Sequence, residues 1–427
     1  METTGKLIRV TPQELEGIFD RLEAEHANRV AIIGPHTPLS ADPNNWPDPF
    51  RGQQVFQPNE LWPGLVDRVI RLRHLDRLVL WMLDLGDAGA RAIAEHLTQL
   101  TSLAVSSNQI GEAGACAIAE HLTHLTSLNV SSNQIGEAGA SAIAEHLARL
   151  TSLHVWNNQI GDAGARAIAE HLTQLTSLHV GGNKIGGGGA LTISQHLTRL
   201  TSLHVWQNSI GDAGARAIAE HLSQLTFLHV GSNNIGDAGV RAIAEHLTQL
   251  QSLDLDQNQV GQASIDVLGQ RLRSLKRLSI VENKDVCDIG PLAGLTALRR
   301  LNVSKTSVSD LGPFADRIAD GWPVRWERWS REDGLFVEDC PLVRPTVEIA
   351  QQGPEAVRNY FRELAAQGED FLYEAKLLIL GEGGRGRPVC CGGCISPIAN
   401  SPKQTSRPAA STSIDRTLSA TTAGRFG

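Results

Sequence analysis

Aromatic side chains are scarce in this chain: Phe, Trp and Tyr make up 4% of its 427 residues, with two tyrosines and two methionines. A core short of rings must be filled by Leu, Ile, Val and Ala, which suits narrow, repeated layers. No apolar run reaches the roughly 18 residues that suggest a membrane span. Six cysteines without regular spacing do not make a disulfide framework. A surplus of one charge sign is lacking too. Lys and Arg number 38 against 46 Asp and Glu, and a net charge of −8 gives no footprint for nucleic acid or an acidic membrane. The opening METTGKLIRVTPQEL turns polar at once instead of forming a basic, apolar leader. These absences point to a soluble, cytoplasmic protein in a reducing compartment.

What the chain does have is a period. An asparagine recurs every twenty-five residues at Asn108, Asn133, Asn158, Asn183, Asn208, Asn233, Asn258 and Asn283, and a leucine keeps step five residues earlier. A fixed period of this length marks a stacked repeat protein. Each unit reads L-x-x-L-x-V-x-x-N-x-I-G-x-x-G-A-x-A-I-A-x-x-L. Its first part alternates at period two, a short strand with Leu153 and Val155 facing inward. The asparagine amide carries both donors and acceptors, so it can satisfy backbone groups in the turns of adjacent units. Ala165, Ala167, Ile168 and Leu172 then fall at helical spacing. The unit resembles the leucine-rich repeat over about half the chain. That resemblance implies an α/β solenoid, a curved parallel strand ladder inside with helices outside.

The ends break the pattern. Residues 1–60 read as an N-terminal cap, needed because the first repeat would otherwise expose its core edge. Thr11-Pro12-Gln13-Glu14 has the capping-box order, Val30–Ile33 reads as a strand, and six prolines between Pro35 and Pro58 predict an irregular connection. The repeats occupy 61–275, with Leu83 replacing asparagine in the first. Over 276–330 the step from Leu278 to Leu301 shortens to twenty-three residues, and CDIGPLAGL and SDLGPFADR predict short helical turns. Trp322, Trp326 and Trp329 are expected to close the C-terminal end of the core. Residues 331–372 read as a helical linker whose apolar face is Val357, Tyr360, Phe361 and Leu364.

Between the inward residues of each strand, side chains point to the open face. One column there reads Ala104, Asn129, His154, His179, His204, His229, Asp254; two residues on, the next reads Ser106, Ser131, Trp156, Gly181, Trp206, Gly231, Asp256. With strands ~4.8 Å apart, four histidines stand in a row beside alternating tryptophan and glycine. Each indole can lie over the space above a glycine. Exposed tryptophan on such a surface is expected to bind a partner, a protein or peptide, through His154, Trp156, His179, His204, Trp206 and His229, with Asp254 and Asp256 as an acidic end. Imidazoles can hold a metal, but no carboxylate or cysteine lies among these four, so no metal is expected. The second histidine series, from His121 to His246, belongs to the outer helices and reads as solvated.

Near the C-terminus Ala375–Leu380 reads as a buried strand running into GEGGRG, the context of a phosphate-binding loop. Repeats followed by PTVEIAQQG, NYFREL and YEAKLLILGEGG resemble the junction in Roco proteins over about forty residues. In that family a leucine-rich repeat array precedes a Ras-like GTPase domain, Roc, and a dimerising COR domain. The resemblance implies a regulatory GTP-binding protein. This chain departs from it where the chemistry is decided. Gly381 and Gly386 are in place, but Arg387 and Pro388 stand at the lysine and hydroxyl positions. Proline offers no N–H to phosphate and no oxygen to Mg²⁺. Residues 373–387 therefore read as a first strand and a degenerate phosphate loop, and GTP is not expected to bind it in the usual way. Residues 388–427 lack apolar periodicity and are expected to be a disordered tail. Read one base out of frame, Arg385–Cys391 can encode Gly-Lys-Thr-Ser-Leu-Leu, and Ser406–Ile414 can encode Pro-Thr-Arg-Gly-Ile-Asp-Ile-Asp, similar to a Roc switch segment. A truncated, frameshifted Roco chain is the expectation, and Cys390, Cys391 and Cys394 then need no metal role.

Together these readings make a non-catalytic protein-interaction scaffold without a cofactor. The alternative is a Roco-type regulatory GTP-binding protein whose nucleotide binding is lost in this chain. No Ser–His–Asp arrangement or further carboxylate pair supports an enzyme.

Overall fold

The computed structural model describes residues 6–35, 54–58, 64–328 and 332–367. Trp329, the strand expected at 375–380, the loop residues Gly381, Gly386 and Arg387, and the tail at 388–427 lie outside the described residues.

The N-terminal part forms β1 (Lys6–Val10), α1 (Pro12–Ala24), β2 (Arg29–Ile33), β3 (Gln54–Pro58) and α2 (Leu65–Val69). The capping box of α1 forms as read: Thr11 Oγ1 accepts from the Glu14 N–H, and Glu14 accepts from the Thr11 N–H at 2.7 Å. Leu15 and Phe19 put the helix's apolar face into the core. β3 corrects the expectation of an irregular connection. Gln54–Pro58 pairs with β1 in full register and touches β2 through Phe56. Pro58 is tolerated because it ends the strand, and a two-residue apolar core, Val55–Phe56, is too short to show period two.

The repeating part begins with β4 (Arg77–Trp81) and α3 (Gly86–His96). The strands β5 (Ser102–Ala104), β6 (Ser127–Asn129), β7 (Ser152–His154), β8 (Ser177–His179), β9 (Ser202–His204), β10 (Phe227–His229), β11 (Ser252–Asp254), β12 (Arg277–Ser279) and β13 (Arg300–Asn302) follow. Up to β12 they alternate with α4 (Glu112–His121), α5 (Gly136–His146), α6 (Gly161–His171), α7 (Gly187–His196), α8 (Gly211–His221), α9 (Asp237–His246) and α10 (Gln262–Arg271). After β12 and β13 the connections shorten to 3₁₀ turns, Gly290–Gly294 and Gly312–Phe314, as the shorter step predicts. The chain closes with α11 (Ala315–Ala319), β14 (Val324–Arg325), β15 (Gly334–Phe336), α12 (Val347–Gln351) and α13 (Pro354–Gln367).

All fifteen described strands join one parallel sheet in the order β1-β3-β2-β4, then β5 to β13 in sequence, then β15-β14. Parallel strands stack at ~4.8 Å whereas helices need ~8–10 Å, so the ladder bends with its strands on the inner side. The helices stay close because their contact positions are small: a Cβ on Gly164 would lie 3.1 Å from the Ala140 Cβ of the preceding helix.

Each unit contributes one layer of core. In the fourth, Leu153, Val155, Ile160, Ala165, Ile168, Ala169 and Leu172 are all fully buried. Little of that area is withdrawn from water unless a neighbour stacks on it, which is why the units cannot stand alone.

Asparagine joins the layers. The Asn183 amide nitrogen donates to Val155 O of the previous unit at 2.9 Å and to its own Val180 O at 3.0 Å. Its oxygen accepts from the Asn158 N–H at 2.8 Å. The same pattern runs along the array, so an amide at every turn satisfies buried backbone groups on two layers.

A second joint lies on the helix side and depends on one methylene. Gly111, Gly186, Gly236 and Gly261 are extended and precede helices α4, α7, α9 and α10. Each donates its N–H to an aspartate of the previous unit, Asp87, Asp162, Asp212 or Asp237, at 2.7–2.9 Å. Gly136, Gly161 and Gly211 instead take positive φ near 60° and donate to the next unit's asparagine carbonyl. The previous unit supplies them with Glu112, Glu137 or Gly187. Aspartate reaches the turn and holds it extended; glutamate is one carbon too long and glycine has no side chain.

At the C-terminal end, residues expected as a linker join the fold in their described part. β15 pairs with β13 and β14, and α13 packs on α11 and β14 with Val357 and Phe361 buried. Trp322 and Trp326 pack against the core margin, and the Trp322 indole N–H donates to Arg299 O at 2.8 Å.

Candidate partner-binding face

Strand register decides whether the two columns read from the sequence exist. His154 pairs with His179, His179 with His204, His204 with His229, and His229 with Asp254. The imidazoles form a stack: centroids lie 3.9 Å apart and nearly parallel between His154 and His179, and 3.6 Å apart between His179 and His204. His204 also stacks on Phe227 at 4.6 Å.

Beside this row, Trp156 and Trp206 are half-buried, with ring centroids 6.0 Å apart and planes tilted by 46°. They come that close because the intervening residue is glycine. A Cβ on Gly181 would lie 2.4 Å from Trp206 Cε2, so the indole occupies the space a side chain would fill. Gly231 has the matching use: His229 Nε2 and Asp254 Oδ1 close over it, 3.2 and 3.3 Å from where its Cβ would stand.

The strip has distinct ends. On the N-terminal side Asn129 accepts from the Ser106 hydroxyl at 2.8 Å and from the Ser131 N–H at 3.0 Å. Beyond them, Ala31, Ile33, Val55, Val79 and Ala104 form a separate buried apolar cluster with Trp81 against it. On the C-terminal side stand Asp254 and Asp256. Asp254 Oδ1 accepts from the Asp256 N–H at 3.0 Å, while Asp256 Oδ1 accepts from the Ser279 hydroxyl at 2.6 Å and the Val281 N–H at 2.8 Å.

Charge on this face is governed by burial. Desolvation, with neighbouring imidazoles second, lowers His179 to about 2 and His204 to about 3. Desolvation lowers His229 to about 4, against a raising contribution from Asp256. Stacked rings this close cannot hold adjacent positive charges, so His179, His204 and His229 are neutral at pH 7. Desolvation raises Asp254, and raises Asp256 with Asp254 as the next cause. His229 Nε2 lies 3.4 Å from Asp254 Oδ2. That is ion-pair distance, but with His229 depressed the contact is between a neutral ring and a carboxyl group.

Three neighbours of the site are absent from the two columns read in the sequence. Phe227 interrupts a run of serines, Ser102 to Ser202, at the start of each strand, and that substitution was its signal. Arg277 and Arg300 occupy the same column on β12 and β13, in register with each other. Arg300 lies over the Phe336 ring at 4.7 Å. The outer histidines are as expected: His146, His171 and His196 are exposed, each with Nδ1 about 3.0 Å from the carbonyl four residues earlier.

A family model described as Leucine Rich repeat matches residues 96–119, 121–144, 146–169, 171–194, 196–219 and 221–244, the segments running from the last residue of α3 into α9. The fold is a leucine-rich repeat solenoid. Among solved structures, an internalin from Listeria monocytogenes str. 4b F2365 is similar at 22% identity and a TM-score of 0.45, over 70% of this chain and 86% of that one. Internalin C2 of the same organism is similar at 21% identity and a TM-score of 0.31, over 54% and 79%. No curated protein matches the chain. In this leucine-rich repeat solenoid the aromatic strip crosses β7 to β10, within the matched segments, whereas Asp254 and Asp256 follow them. Among the described residues no helix is long and apolar enough to cross a membrane, and no group of His, Cys, Asp or Glu is arranged to hold a metal ion.

Proposed function

We propose that the chain is a non-catalytic interaction scaffold that holds a protein or peptide on the inner strand face of its repeats. His154, Trp156, His179, His204, Trp206 and His229 form the docking strip, Phe227 extends it, and Asp254 and Asp256 bound it. The observation that carries this reading is the pair of half-buried indoles, Trp156 and Trp206, standing 6.0 Å apart on the strand face over a glycine. Two large apolar rings left partly in water are a cost that a partner would relieve, and tryptophan is the residue type most enriched among interface anchors. Repeat solenoids use such extended inner surfaces for binding. The test is the double substitution W156A/W206A. It should leave thermal unfolding nearly unchanged, because neither ring belongs to the continuous core, while affinity for peptides selected on the native face falls. Unchanged affinity removes the proposal.

The Roco reading is a second proposal. It rests on the junction sequence from PTVEIAQQG to GEGGRG, and its function in this chain would be that of the repeat scaffold alone, since Arg387 and Pro388 replace the phosphate-loop lysine and hydroxyl. Titration with labelled GTP and Mg²⁺ tests it, and binding tighter than millimolar would restore the GTP-binding role. Free thiols at Cys116, Cys287 and Cys340 agree with a reducing, cytoplasmic setting.

A further inference from the structure

The docking strip ends in two carboxyl groups that no lysine or arginine of the described residues pairs with, and that indicates what should meet it. Asp254 and Asp256 are neighbours two residues apart on one strand face, and their hydrogen bonds come from neutral groups: the Asp256 and Val281 N–H and the Ser279 hydroxyl. Among the described residues neither makes an ion pair with lysine or arginine, and the one ionisable side chain within ion-pair distance is His229, at 3.4 Å from Asp254. Arg300 acts on Asp254 through space without pairing with it, its guanidinium sitting over the Phe336 ring. Further along the array Glu282 pairs with Lys305 at 3.2 Å and Arg328 at 2.8 Å. Asp254 and Asp256 have no such partner among the described residues, and they adjoin the rings. His229 touches Asp254 and lies 6.2 Å from the Trp206 ring, stacked against it.

Two nearby carboxyl groups withdrawn from water, with rising pKa, are destabilised in their charged form until a cation arrives. Neutral imidazole and indole faces next to them also favour a cation, because the ring quadrupole attracts positive charge. The aliphatic stem of a basic residue can cover apolar ring surface while its head reaches the acids.

Resting on the docking reading above, we propose that the partner presents an extended peptide segment whose lysine or arginine is received by Asp254 and Asp256 while neighbouring apolar residues lie on Trp206 and Trp156. The geometry sets a spacing. Trp206 and Asp256 are two strands apart, ~10 Å at the usual strand separation, which an extended chain covers in about three residues. The Trp156 ring lies 6.0 Å beyond the Trp206 ring, about two further residues of extended chain. The recognised segment is therefore apolar-x-apolar-x-x-basic, in either chain direction.

The test is a selection of phage-displayed random 12-residue peptides on the full chain, followed by synthesis of the enriched peptides with a fluorescein label. Enriched peptides should share a lysine or arginine about three positions from an apolar residue. Replacing that residue by norleucine, which keeps the stem and removes the charge, should weaken binding to the native chain about tenfold or more. On D254N/D256N the same replacement should change affinity less than about threefold, the signature of an interaction already removed. Asn129 and Asn302 already accept hydrogen bonds at the column position of Asp254, so the amide variant retains the local bonding. Peptides enriched in acidic residues, drawn instead to Arg277 and Arg300, would overturn the inference, as would an equal norleucine effect on both proteins. If the peptides lack a basic residue but lose affinity on W156A/W206A, the docking strip stands and its cationic ligand does not. If they bind W156A/W206A as well as the native chain, or if none is enriched, both readings fall.

Discussion

Trp206 lies across Gly181, its Cε2 only 2.4 Å from the point where a Cβ would stand. Since φ at Gly181 is not in the left-handed region, alanine suits the backbone there, and the three nearest atoms its Cβ would meet all belong to the Trp206 indole. Gly181→Ala should therefore fold, with a cost within about 1–3 kcal/mol, while Trp206 swings away from Trp156. Fluorine NMR of 5-fluorotryptophan protein, with its eight tryptophans, should show two resonances moving, assigned through W156F and W206F. A spectrum unchanged at those two positions would mean that the rings are not held by the glycine.

The asparagine column should matter more to stability than any polar surface residue. Asn183→Ala removes the acceptor for the buried Asn158 and Ile160 N–H groups, while the three carbonyls it donates to keep other donors in Asn158, Asn208 and Asn157. At about 1–3 kcal/mol for each unsatisfied group, the loss in urea unfolding should be several kcal/mol. Gln174→Ala, at an exposed site, should stay within about 0.5 kcal/mol. Comparable losses from both would contradict the role given to the amide.

The aspartate rule on the helix side can be tested by moving one carbon. Glu137→Asp should let the shorter acid reach the Gly161 N–H as Asp162 reaches Gly186, adding about 0.5–2 kcal/mol as helix caps do. Gly161→Ala should cost roughly 1 kcal/mol in the native background, where φ is +59°, and much less in the Glu137→Asp background, where the turn becomes extended. An equal cost in both backgrounds would show that the acid does not select the turn.

The strip should leave a pH signature in stability. His179, His204 and His229 have folded values near 2, 3 and 4, below the usual 6.5, so the unfolded chain binds their protons first. Their contribution is complete above pH 6.5 and is lost as pH falls toward those folded values. Asp254 and Asp256 act oppositely. Raised in the fold, they favour it fully below the ordinary carboxylate value and lose that contribution as pH rises through about 6 to 7. D254N/D256N should accordingly melt higher than the native chain at pH 8, with the difference shrinking toward pH 5. A constant difference across that range would contradict the assignment of carboxyls raised by burial.

The repeat architecture was legible because one leucine and one asparagine recur in step, and stacking converts that step directly into register. The columns from His154 to Asp254 and from Trp156 to Asp256 followed from the same step, with the glycines as the visible clue to where the rings could lie. Other features have no such signal. β3 is five residues long and ends in Pro58, so pairing with β1 decides it, not its own pattern. β15 lies in Gly334–Phe336 and depends on β13 and β14 for its place. The alternation of turn conformation at Gly161 and Gly186 depends on side-chain reach from the neighbouring unit, a distance that no single repeat contains. The closure of His229 and Asp254 over Gly231 is likewise a contact between strands.

The central claim is that Trp156 and Trp206 anchor a partner, and the most direct measurement compares one display-selected, fluorescein-labelled peptide on the native chain and on W156A/W206A by fluorescence anisotropy, with circular dichroism confirming that both fold. Losing two interface anchors should raise Kd by about thirtyfold or more at an unchanged melting temperature. Equal Kd values on two equally folded proteins would contradict the account.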